Sequence, residues 1–263
     1  MKGCNEMKLT QQNYYSKEAN LEFMSVSQFK SFSKCQHSAL AEIQGKYVRE
    51  KTTALLVGSY VDSYFEGTLE NFIKENPEIF KRDGFSLKAE FSQAEAIIER
   101  IKKDKQFMRH LSGQKQVIMT GSIKGVPIKI KIDSLRPREI VDLKIMKDFE
   151  PVYVPDMGLL PWFRGWEYDL QGAVYQEIVR QNTGKKLPFI LAAATKEKVT
   201  DIDNIKLSQD TLDCALERFE RDVELFDAIK KGIIPPERCE KCEYCKMTKT
   251  LKKPTNSDEY DFI

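Results

Sequence analysis

The chain has 263 residues, 41% of them hydrophobic, enough for one sizeable core. Its 42 Lys and Arg against 40 Asp and Glu leave a net charge of +2, so no general basic field marks the surface for a polyanion, and any such site must be local. No run of about 18 apolar residues reads as a membrane span, and the opening MKGCNEMKLTQQNYYSKEAN lacks the apolar centre of a signal peptide. We therefore expect a cytoplasmic protein with no membrane partner.

In that reducing compartment the six Cys do not read as a disulfide framework. Cys4, Cys35 and Cys214 are isolated, whereas Cys239, Cys242 and Cys245 form a tight C-x2-C-x2-C. No internal repeat or low-complexity linker interrupts the chain, which suggests a single domain over 24–250. A polar, loosely held segment over 1–23 precedes it and a tail over 251–263 follows.

In chain order, a Ser ahead of Phe29, Phe32 and Leu40 predicts a capped helix over about 27–44, with Cys35 inside it. Residues 53–66 carry a helical apolar pattern, and Gly58, Asp62 and Glu66, four apart, fall in one line along it. Ser92-Gln93-Ala94-Glu95 reads as a capping box opening a helix to about Leu111, with Ile97, Ile98 and Ile101 as its apolar side.

The period then changes to two. Residues 116–123, 127–133 and 140–146, joined by short turns, predict three successive antiparallel strands. Ile128, Ile130 and Ile132 oppose Lys129, Lys131 and Asp133, and Ile140, Asp142 and Lys144 oppose Val141, Leu143 and Ile145. Asp142 and Lys144 are thus neighbours on one face, and a short connection can bring Asp133 beside them. A helix over about 167–181, a buried strand over 187–195 and a long amphipathic helix over 208–231 complete a mixed α/β or α+β order.

Two converging carboxylates repel each other and are kept out of water only where a cation compensates them. Mg²⁺, or Mn²⁺, takes such oxygen ligands and leaves coordination positions for water and phosphate. The adjacent ammonium of Lys144 can orient or deprotonate an attacking water, or offset charge on the phosphate. Taken alone, D-x-K on a strand is an ordinary salt bridge. The dense apolar flanks and the Asp ending the preceding strand set these charges at the edge of a core instead.

Asp133-x8-Asp142-Leu143-Lys144 resembles the centre of the PD-(D/E)xK nuclease superfamily, and more narrowly the RecE-like exonucleases of phages and prophages within the RecB-like branch. Gln171-Gly172-Ala173-Val174-Tyr175 is similar to the Q-x3-Y element on the helix after the catalytic hairpin. Gly58-Ser59-Tyr60-Val61-Asp62 resembles an upstream G-x3-His element, with Asp62 where the family has a ligand His; Glu66 is the fallback.

The resemblance implies a restriction-endonuclease-like core, a central mixed sheet flanked by helices. It assigns metal to Asp62, Asp133 and Asp142, catalysis to Lys144, and strand positioning to Gln171 and Tyr175. It also implies Mg²⁺-dependent degradation of linear double-stranded DNA from its ends in a bacterial host. The product would be single-stranded tails for a single-strand annealing recombinase, made by an enzyme that in some family members is a homo-oligomeric ring.

Cys35, Cys239, Cys242 and Cys245 together match the order in which iron–sulfur RecB-like nucleases place one Cys before the core and three behind it, with a shorter last gap here. Four thiolates suit a [4Fe–4S] cluster or zinc, and His37 is a substitute ligand; reduced thiols without metal are the third reading. Two rival functions follow: an iron–sulfur nuclease of single-stranded DNA in repair or adaptation, and a non-catalytic zinc-bearing DNA-binding scaffold. Lys124, Lys129, Lys131, Arg136, Arg138 and Lys147 make a candidate phosphate patch around the hairpin. Trp162, Phe163, Arg164 and Trp166 are candidates for stacking at a DNA end or for anchoring their loop.

Overall fold

The computed structural model describes residues 7–251 with Pro254 and Ser257. Cys4 and the rest of the expected tail lie outside the described residues. Helices come first: α1 (Lys17–Glu22), α2 (Val26–Lys34), α3 (Gln36–Ile43), α4 (Thr53–Glu66), α5 (Leu69–Glu75), a 3-10 turn at Pro77–Ile79, α6 (Ala89–Lys102) and α7 (Lys105–His110). Next are β1 (Gln114–Ile123), β2 (Val126–Arg136), β3 (Glu139–Met146), β4 (Val152–Val154), β5 (Gly158–Leu160), α8 (Trp162–Gly165) and α9 (Tyr168–Thr183). The chain closes with β6 (Phe189–Thr195), β7 (Ile202–Lys206), α10 (Gln209–Lys230) and α11 (Glu243–Met247).

Five strands form one sheet in the order β1-β2-β3-β6-β7, antiparallel throughout except where β3 meets β6. That parallel pairing needs a long crossover, and the stretch from β4 to α9 supplies it. The result is the mixed sheet flanked by helices that the family resemblance implied. Strand β6 shows why it is central: all seven of its residues are buried. Phe189, Leu191 and Ala193 join the core under α2, α9 and α10, while Ile190, Ala192 and Ala194 join the core under α4, α6 and α7. A two-residue period read on both faces gives a continuous apolar run.

Local chemistry moves two of the expected boundaries. The helix expected over 27–44 breaks at Cys35, whose extended backbone ends α2 while its sulfur accepts the Ser38 N–H and caps α3. Ser25 and Gln28 form the capping box that opens α2. The helix expected from Ser92 to Leu111 starts at Ala89 instead and breaks before Asp104, whose carboxylate caps α7 through the Phe107 N–H at 2.8 Å. Ser92 does not cap, because its hydroxyl turns back to the Lys88 carbonyl. Strand β7, a short edge element with mixed burial, had no clear sequence signature.

The described part of the N-terminal segment is packed, where composition pointed to a loose one. Ala19 is fully buried, Met24 bridges to Ile128, and Lys129 on β2 donates to the Tyr14 carbonyl and, at 2.8 Å, to Asn20 Oδ1. A buried ammonium must be hydrogen-bonded, and these residues supply the acceptors.

Candidate active site and cysteine cluster

Strands β2 and β3 pair over only three rungs, ending with Ser134 opposite Val141. The next rung would join Asp133 to Asp142. There a side chain replaces the backbone: Asp133 Oδ2 accepts the Leu143 N–H at 2.9 Å. Parting of the strands at this point makes room for both carboxylates without leaving the amide unsatisfied.

Asp142 is 2% exposed and held from two sides. Its Oδ1 accepts from Gln171 Nε2 at 2.7 Å, and its Oδ2 lies 2.6 Å from Lys144 Nζ. Lys144 also sits 5.1 Å from the centre of the Tyr168 ring. Helix α9 therefore reaches the site through Tyr168 and Gln171. Tyr175, one turn further on, donates its hydroxyl to the Lys131 carbonyl at 3.0 Å and so fastens α9 to β2.

Helix α4 delivers Asp62 and, one turn later, Glu66. Asp62 Oδ1 is buried without a hydrogen-bond partner among the described residues. Glu66 accepts from Gln116 Nε2, which also lies 3.5 Å from Asp133 Oδ1. Gln116 stands opposite Asp133 on β1 with φ at +52°, a left-handed conformation that a non-glycine residue rarely holds. No local sequence signal marks a mid-strand Gln for this role, and the motif reading missed it.

The electrostatics show a deficit of positive charge. Burial, then the neighbouring Asp133, pushes Asp62 well above the usual carboxylate range. Burial and the adjacent Asp142 raise Asp133 to about 7. Burial alone would lower Lys144, but Asp142 and Asp133 outweigh it and hold the ammonium charged, above its usual range. One ammonium does not balance three converging acids. An orphaned carboxylate oxygen in an all-oxygen donor set fits a hard divalent cation, with Asp62, Asp133 and Asp142 as the residues that would hold it.

These groups line an open cavity of about 530 Å³ whose remaining wall includes Tyr14, Tyr15, Lys30 and Lys131. The basic patch expected around the hairpin is largely dispersed. Lys129 is buried, Arg136 pairs with Glu139, and Lys147 pairs with Asp148. Lys131, whose ammonium lies 5.1 Å from the Tyr15 ring centre, remains at the cavity, and Lys30 from α2 joins it. Trp162 is buried against Phe149, an anchor for its loop, while Trp166 is half exposed.

About 210 residues of chain separate Cys35 from Cys245, yet their sulfurs are 3.6 Å apart. Sulfur atoms of Cys35, Cys239, Cys242 and Cys245 all lie within 4.8 Å of one another. His37 Nδ1 is 3.9 Å from the Cys245 sulfur, beside the group. Cys214 is exposed on α10, away from the cluster.

No helix among the described residues is long and apolar enough to cross a membrane. The chain is 51% identical to a crystal structure from Eubacterium rectale described as a candidate exonuclease; the two superpose with a TM-score of 0.92, over 95% of this chain and 97% of that one. A second solved structure, SSO0001, is 14% identical with a TM-score of 0.31 over 76% of this chain, too distant to support an argument. No curated protein matches. Residues 25–248 match the family described as a PDDEXK-like domain of unknown function, DUF3799. The chain therefore belongs to that family, within the PD-(D/E)xK nucleases whose motifs its hairpin resembled.

Proposed function

We propose that the protein is a Mg²⁺- or Mn²⁺-dependent exonuclease that degrades linear double-stranded DNA from its ends and leaves single-stranded tails. The observation that carries this reading is that Asp62, Asp133 and Asp142 gather near one ammonium, Lys144, in the wall of a single cavity, with Asp142 2.6 Å from it. A bound divalent cation would supply Lewis acidity at the phosphodiester and a more acidic attacking water.

The protein's own groups do the rest. Gln171 fixes the rotamer of Asp142 through its 2.7 Å hydrogen bond. Lys144, kept protonated by Asp142 and Asp133, acts as a cation beside the phosphate, offsetting the negative charge that develops there. Tyr175 holds the helix carrying Gln171 against β2. Lys131 in the cavity wall contacts the DNA backbone, and the exposed Tyr15 beside it packs against an unpaired base.

Action from ends rests on the RecE-like motif order and on the description of the 51% identical relative as a candidate exonuclease. On the same motif basis, the tails would serve a single-strand annealing recombinase in a phage or prophage setting, with a homo-oligomer enclosing the DNA. The test is digestion of linear against covalently closed duplex DNA with Mg²⁺, wild type beside Lys144→Ala. Linear duplex should be degraded, closed circles spared, and the variant slowed about 10²–10³-fold. Cleaved circles or a preference for single strands would refute the end-directed duplex reading. Intact linear duplex that is nevertheless bound would point to a scaffold.

A further inference from the structure

We propose that Cys35, Cys239, Cys242 and Cys245 hold a single tetrahedral Zn²⁺ rather than a four-iron cluster. This ion fastens the C-terminal segment to the α2–α3 corner that walls the cavity.

Sequence spacing does not decide the question. Three Cys at C-x2-C-x2-C with a distant fourth suit a four-iron cluster as well as an ion. Distances do decide it. With Zn–S bonds of about 2.3 Å, the sulfurs of a regular tetrahedron stand about 3.8 Å apart. Here the Cys35–Cys245, Cys35–Cys242 and Cys239–Cys245 separations are 3.6, 3.7 and 4.0 Å. All six pairs fall within 4.8 Å. A cubane places each thiolate on a separate corner iron, which sets the sulfurs roughly 6 Å or more apart. Reaching that spread would push Cys35 and Cys245 outward through packed surroundings, since they are only 7% and 0% exposed.

The surroundings suit four thiolates on one dication, a centre of net charge −2. The sulfurs of Cys35, Cys239 and Cys242 accept backbone N–H groups from Ser38, Cys242 and Cys245 at 3.5, 3.3 and 3.4 Å. Such bonds orient the ligands and spread their charge. Arg238 brings a guanidinium to the same place, donating to the Cys245 carbonyl at 2.6 Å. The ligand set is closed, with no protein-free position for substrate, which marks a structural ion.

Its mechanical role follows from what the two sides carry. Cys35 lies at the joint between α2 and α3, and those helices give Lys30, Glu42 and Ile43 to the cavity wall. Around the ion, the His37 N–H donates to the Glu237 carbonyl at 3.0 Å and the Glu237 N–H to Gln36 Oε1 at 2.8 Å. Zinc at this joint closes a loop of some 210 residues.

The test reads metal, not DNA cleavage, so it stands whether or not the nuclease reading does. Full-length protein purified anaerobically and dialysed against metal-free buffer should be colourless, with one zinc per chain and no iron by elemental analysis. Exchange with Co²⁺ should give the thiolate charge-transfer and visible bands of tetrahedral cobalt. Cys239→Ser and Cys242→Ser should lose the zinc and the cobalt spectrum, whereas Cys214→Ser and Asp142→Asn keep both. Should the cluster variants fail to fold, wild-type protein still decides: titrating its thiols with a mercurial should release one zinc per chain. A brown protein with about four iron and four sulfide per chain overturns the proposal. So do thiols that titrate with no metal released, or zinc that Asp142→Asn removes.

Discussion

The carboxylate pocket and the cysteine cluster are both gatherings of acidic side chains, and they solve that problem in opposite ways. The pocket takes Asp62 from α4, Asp133 from β2 and Asp142 from β3, leaves Asp62 Oδ1 without a hydrogen-bond partner among the described residues, and lines a cavity of about 530 Å³. The cluster takes four sulfurs from a helix joint and one short loop, keeps them within 4.8 Å, and gives each ligand loop its own N–H···S bonds. Hard oxygen donors around free space suit an ion that must exchange water and phosphate; soft donors in a closed set suit one that never leaves. The difference teaches that donor hardness and access to free space, rather than the gathering of acidic groups as such, set what each site can do. Gln116 at φ +52° and the orphaned Asp62 oxygen both belong to the pocket.

The largest effect that tests this contrast is on turnover. Asp142→Ala should abolish measurable DNA cleavage while leaving zinc content and the circular dichroism spectrum unchanged, because the two sites share no ligand. Loss of both would break the separation.

Next comes proton linkage. Asp133 is raised to about 7 from an unfolded value near 3.8, so metal-free folded protein retains a proton that the unfolded chain gives up. The stability tied to that proton is full below about pH 4 and is lost as pH rises through 7. Asp133→Asn, which carries no such proton, should therefore be more stable than wild type in chelator at pH 8, with the advantage shrinking to nothing towards pH 4. Denaturant melts across pH measure it. Mg²⁺ should narrow the gap at pH 8 by stabilising wild type alone.

A smaller effect tests how α9 is seated. A Cβ at Gly172 would stand 2.8 Å from the Phe189 ring and 3.0 Å from Leu212, both in the core. Gly172→Ala should cost about 1–3 kcal/mol by overpacking. By lifting Gln171 off Asp142 it should also slow cleavage more than Cys214→Ser does. The smallest effect concerns Gly58, where a Cβ meets open space. Gly58→Ala should stabilise α4 by about 0.5–1 kcal/mol, a gain readable as a shift in the denaturant midpoint. A fall in stability would mean that this position is crowded after all.

Some of the site was legible in residues alone. Asp142 and Lys144 share a strand face by a period of two, Asp62 and Glu66 share a helix face by a step of four, and Gln171 opens its own four-residue step with Tyr175. Each of these is a short-range regularity imposed by backbone geometry. Tyr175 shows where such regularity stops: the shared face was legible, but its hydroxyl belongs to the Lys131 carbonyl, a contact 44 residues away. Lys129 teaches the same lesson. Alternation placed it with Lys131 as a candidate phosphate contact, and the fold buried it under Tyr14 and Asn20.

By itself, then, the sequence determined the apolar faces of the main helices, the three-strand meander, the central run of β6, and the pairwise spacing of the acidic and amine groups. Local sterics and apolar periodicity suffice for those. Tertiary structure alone decided that β3 runs parallel to β6 and that β2 and β3 part at Asp133, while the approach of Asp62 to the hairpin and of Cys35 to the C-terminal loop was implied by family resemblance and by no local pattern. Those outcomes depend on burial against partners far away in the chain, and no local pattern encodes which distant surface will exclude the water.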